Sequence, residues 1–87
     1  MTINEYQHLA MRTANEEGLS MSNMALGLAG ESGEVADLVK KTMHQLHPLD
    51  RDKLFEELGD VAWYLALGAT VLGTTLEAIL EANILKL

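Results

Sequence analysis

The sequence predicts an all-α domain, and three observations carry that prediction. Apolar residues recur at three- and four-residue spacings along most of the chain. No stretch alternates strictly enough to make a half-buried strand. Ser, Thr and Asp residues suited to N-capping, together with glycines, punctuate the periodic segments. An 87-residue chain with 48% hydrophobic residues, one proline and no cysteine reads as one globular domain over residues 1–87. Short connections make an antiparallel four-helix bundle the expected arrangement. A chain this small buries little more than about 60% of its unfolded surface, so the helices are expected to pack into a homo-oligomer, a homodimer or a homotetramer.

Thr2 and Glu5 have the spacing of a capping box, which opens a first helix expected to run to about Glu17, before Gly18. Ser20 or Ser22 caps a second helix, patterned by Met24, Leu28, Val35 and Leu38 and fading between His44 and Pro48. Asp50 caps a third, with an apolar stripe of Leu54, Leu58, Val61, Leu65 and Leu72. Gly73 breaks it, and Thr74 with Glu77 forms a second capping box that opens a fourth helix. From Val61 to Leu72 the third helix is apolar nearly all round, as a helix buried on every side is. That segment is the candidate centre of a dimer interface.

Thirteen acidic residues against six basic ones give a formal net charge of -7, which disfavours nucleic acid as a partner and favours cations. No window reaches the roughly 18 to 20 apolar residues of a membrane span. The N-terminal segment lacks the basic flank and apolar run of a signal peptide. With no cysteine arguing for export, the cytoplasm is the expected location.

The chemistry lies in two acidic pairs. Glu31 and Glu34 on the second helix are three residues apart and share a face. At about 100° per residue, Glu31 falls inside the stripe of Met24, Leu28, Val35 and Leu38. Glu57 and Asp60 repeat the spacing on the third helix, with Glu57 at the margin of its stripe and Asp60 further round. Carboxylates gathered inside a bundle are costly unless a cation intervenes. Mg²⁺, with Mn²⁺ as the alternative ion, takes such oxygen ligands and holds substrate phosphates. Gly30 and Gly33 beside the first pair and Gly59 inside the second lower helix propensity by about 1 kcal/mol each, a placement that suggests close approach of a helix or a ligand.

The segment from Asn23 to Ala36, containing Gly30-Glu31-Ser32-Gly33-Glu34-Val35, precedes the segment from Leu54 to Leu65, containing Glu56-Glu57-Leu58-Gly59-Asp60-Val61. Together they resemble the MazG-like nucleotide pyrophosphohydrolases, whose signature is ExxE, a spacer and ExxD, and the resemblance covers about residues 20 to 87. It implies an all-α enzyme that hydrolyses a nucleoside triphosphate to the monophosphate and pyrophosphate with Mg²⁺. Glu31, Glu34, Glu57 and Asp60 would be the metal ligands, with Glu34 or Glu31 taking the proton of the attacking water. Many relatives carry a second Glu before the first motif Glu where this chain has Gly30, which implies fewer bound metal ions. Asn83 and Lys86 also match, but relatives continue beyond them with basic residues where this sequence stops at Leu87. Part of the phosphate-binding apparatus is therefore expected to be missing, or to be supplied by Lys40, Lys41 or a second subunit.

Within the same superfamily, deoxyuridine nucleotides or phosphoribosyl-ATP are the alternative substrates. From another class, the chain is a catalytically weak metal- or nucleotide-binding module. His44 and His47 have helical spacing but no evident third zinc ligand. Trp63 reads as a core or interface residue, and Met11, Met21, Met24 and Met43 as core filling.

Overall fold

Four side chains start the four helices. The side-chain oxygens of Thr2, Ser20, Asp50 and Thr75 accept hydrogen bonds from the backbone N–H groups of Glu5, Asn23, Lys53 and Ala78, satisfying donors that a helix start leaves orphaned. The computed structural model describes residues 1–87. It contains α1 (Ile3–Met11), α2 (Met21–His44), α3 (Arg51–Val71) and α4 (Leu76–Lys86) and no strand. The Thr2–Glu5 capping box forms as the sequence predicts.

Two helix ends differ from the prediction. α1 stops at Met11 rather than near Glu17 because the Ala10 carbonyl is claimed by other donors. The Trp63 indole N–H reaches it at 3.1 Å and the Thr13 hydroxyl at 2.7 Å, while the Ala14 N–H turns to Met11 instead. The fourth helix starts on Thr75, not Thr74. The end of α3 consumes Thr74: Gly73 adopts φ 76°, its N–H bonds to the Thr70 carbonyl, and the Thr74 N–H bonds to the Ala69 carbonyl. This is the Schellman arrangement, which needs a residue at positive φ just past the cap.

α2 and α3 form an antiparallel hairpin, with Met24 facing Gly68, Gly27 facing Tyr64, and Glu31 facing Glu57 and Asp60. The other two helices do not complete the expected four-helix bundle. α4 turns 99° away from α3 and packs on α1 and α3, while α2 packs on α3 alone. The turn is held by Gln7 on α1. Its amide nitrogen donates to Thr70 Oγ1 and the Thr74 carbonyl, and its amide oxygen accepts the Leu76 N–H at 2.7 Å.

The buried centre is thin. Only six residues are buried, among them Ala66, Leu67, Ala69 and Leu76, and Tyr6, Ala10 and Met11 of α1 pack against Ala66, Ala69 and Leu76. The stripe read from the sequence is therefore not the core face of α3. Leu58, Leu65 and Leu72 lie outside, in line with Phe55, which is 84% exposed, because α1 packs on the face of α3 that carries Trp63, Ala66 and Ala69 instead. No single helix is long and apolar enough to cross a membrane.

Candidate metal centre

The close contact of α2 with α3 rests on two glycines. A β-carbon on Gly27 would overlap the ring of Tyr64, and one on Gly68 would lie 3.4 Å from the Met24 side chain. Tyr64 is held in turn by Trp63, whose ring meets it edge-on at 5.0 Å and 80°. The glycines singled out beside the acids behave differently. Nothing lies within 4 Å of a β-carbon built on Gly30, Gly33 or Gly59, so no helix of this chain approaches them.

One turn beyond Gly27, Glu31 reaches the acids of α3. Carboxylate oxygens of Glu31, Glu57 and Asp60 all lie within 4.8 Å of one another. Glu57 is 6% exposed, Glu31 half-buried and Asp60 exposed. A hydrogen bond to Glu57 pushes the Glu31 carboxyl above the usual glutamate range, and burial and the charges of Asp60, Glu57 and Glu34 add to the effect. The same hydrogen bond, followed by one from Lys53, holds Glu57 below that range. Of the two, Glu31 is thus the group that holds a proton more tightly and Glu57 the one that gives it up more readily.

The remaining predicted site residues stand apart. Glu34 is exposed and lies outside the three-carboxylate group, though its charge acts on Glu31. Lys40 and Lys41 both pair with Asp37, at 3.4 and 2.9 Å, and the Asp37 carboxyl is held below its ordinary value by Lys41 and then Lys40. Asn83 and Lys86 lie exposed on α4, which does not pack against α2 and turns 99° away from α3.

Two neighbours of the acids were not among the predicted residues. Lys53 Nζ lies 3.2 Å from Glu57 Oε1, a helical one-turn spacing that the sequence itself displays. Tyr6 of α1 lies close enough to Asp60 for its charge, after burial, to push the phenol upward. No local pattern announces Tyr6, because its position depends on how α1 crosses α3.

The donor set fits a hard divalent cation. Three carboxylates from two helices converge without sulfur or nitrogen ligands, and one of them is too buried to be a solvated surface acid. The family model for the MazG nucleotide pyrophosphohydrolase domain matches residues 19–87. The Gene 37 protein of Mycobacterium phage L5 is 36% identical over 98 residues, covering 100% of this chain and 86% of that protein. No solved structure gives a significant match.

Proposed function

Because the chain belongs to the MazG nucleotide pyrophosphohydrolase family, we propose that it hydrolyses a nucleoside triphosphate to the monophosphate and pyrophosphate with a divalent cation. The observation that carries this reading is the convergence of Glu31, Glu57 and Asp60 across the α2–α3 contact. Glu34 would join them as substrate and metal assemble, with Mg²⁺ the expected ion and Mn²⁺ the alternative. When bound, the ion supplies charge neutralisation of the polyphosphate and acidity of a coordinated water.

The chain's own residues divide the remaining work. Glu57, buried and charged, is the fixed anchor of the group. Glu34 or Glu31 takes the proton of the attacking water. Lys40 and Lys41 lie further along α2 as phosphate contacts once they leave Asp37. Asn83 and Lys86 would contact substrate in an assembly that brings α4 of another copy over the site. A homo-oligomer packed through Phe55, Leu58, Leu65 and Leu72 is the form in which we expect the protein to act, since that apolar face of α3 has no partner in the chain.

The deciding experiment is pyrophosphate release from a panel of ribo- and deoxynucleoside triphosphates, with and without Mg²⁺, beside Glu57→Ala. Release that requires both the ion and Glu57 supports the reading, and the preferred nucleotide names the substrate. A folded protein that binds Mg²⁺ and nucleotide yet releases no pyrophosphate from any of them is a binding module instead.

A further inference from the structure

Lys53 and Glu57 form an unequal pair. The ammonium lies 3.2 Å from Glu57 Oε1 and 3.5 Å from Glu56 Oε2, on a side chain that is 48% exposed. The Glu57 side chain is 8% exposed and cannot follow it outward. No other lysine or arginine forms an ion pair with Glu31, Glu57 or Asp60: Lys40 and Lys41 are both bound to Asp37. The acidic group therefore has one cation of its own, carried on a flexible four-carbon stem and resting on its most buried carboxylate. Glu57 belongs to the three acids whose oxygens converge, so an ion gathered by that group competes with Lys53 for the same carboxylate.

We propose that Lys53 is a built-in counter-ion for Glu57 in the metal-free protein and is displaced from it when a divalent cation binds. The inference rests on the metal-centre reading given above. The physical logic is exchange: a buried carboxylate needs a positive partner in both states, and two cations on one carboxylate repel each other. A half-exposed lysine can give way to water at little cost, whereas the buried glutamate cannot. The exchange keeps Glu57 charged and in place before the ion arrives, and it weakens ion binding because the lysine must first be moved.

The test compares Lys53→Met and Lys41→Met with the unaltered full chain. Thermal melting without metal is paired with calorimetric titration of Mg²⁺ and Mn²⁺ alone, with no nucleotide present. Lys53→Met is expected to melt at lower temperature without metal and to bind the ion several-fold more tightly, while Lys41→Met changes neither by more than a fraction of that. Equal tightening in both variants overturns the proposal, since it reports the loss of a positive charge and not the removal of a competitor. No tightening in Lys53→Met overturns it as well.

Should Lys53→Met be unfolded without metal, folding on addition of the ion supports the exchange. If it stays unfolded, Lys53→Gln is titrated in its place under the same criteria. Absence of ion binding by the unaltered chain and by every variant overturns the metal-centre reading itself. Binding by the unaltered chain with no gain in the Lys53 variants overturns only the role of Lys53.

Discussion

The ring of Tyr64 occupies the space above Gly27 where any other residue would place its β-carbon. This contact lies one turn from Glu31 and sets how near α2 comes to α3, and so whether carboxylates on two helices share a site.

Gly27→Ala is expected to destabilise the protein by about 1 to 3 kcal/mol, the range for overpacking a close contact. It should also weaken Mg²⁺-induced stabilisation, because forcing the helices apart separates Glu31 from Glu57 and Asp60. Gly33→Ala, with nothing within 4 Å of the new β-carbon, should instead raise stability by up to about 1 kcal/mol through helix propensity. Paired thermal melts with and without Mg²⁺ distinguish the two glycines.

Gln7→Ala should loosen the α3–α4 turn. The substitution leaves the Leu76 N–H without its acceptor and removes the amide that bridges Thr70 and Thr74. A loss of about 1 to 3 kcal/mol is expected for an unmet, partly buried donor. Faster hydrogen exchange at Leu76, with α2 unaffected, locates the effect.

The Glu31–Glu57 pair makes stability and ion binding depend on pH in opposite ways. The raised affinity of Glu31 for its proton contributes stability that is full below the ordinary glutamate range and lost as pH rises through its raised pKa. The lowered pKa of Glu57 contributes stability that is present above that range and lost as pH falls through its lowered value. The metal-free protein should therefore gain most from this pair in the acidic window between the two. A divalent cation competes with a proton for Glu31, so below the raised pKa of that group its binding should release protons, and it should strengthen as pH rises through that pKa. Calorimetry in buffers of different ionisation enthalpy reads the protons, and melts across the window read the stability.

Leu65→Glu places a charge in the unpartnered face of α3 beside Leu58 and Leu72. In a homo-oligomer built on that face the substitution shifts sedimentation to the monomer. An unchanged sedimentation coefficient would assign the assembly to another surface.

Much of this molecule is legible in local sequence because its signals act within one or two turns. Thr2 with Glu5, Ser20 and Asp50 cap the helices they precede, and the two acidic pairs are visible as spacing alone. What the residues by themselves determined is a set of helices, the capped starts of the first three, a carboxylate pair on each of two of them and a family signature. Which acids meet was decided by the tertiary structure. Gly27 beneath Tyr64 sets the register that joins Glu31, Glu57 and Asp60 and leaves Glu34 outside. The early end of α1 and the cap at Thr75 depend on Trp63 and on the Schellman turn at Gly73. The direction of α4 depends on Gln7, nearly the whole chain away. Capping and periodicity are short-range and survive in any context, whereas a carbonyl already claimed by a distant indole, or a β-carbon excluded by a facing ring, exists only once the helices have packed.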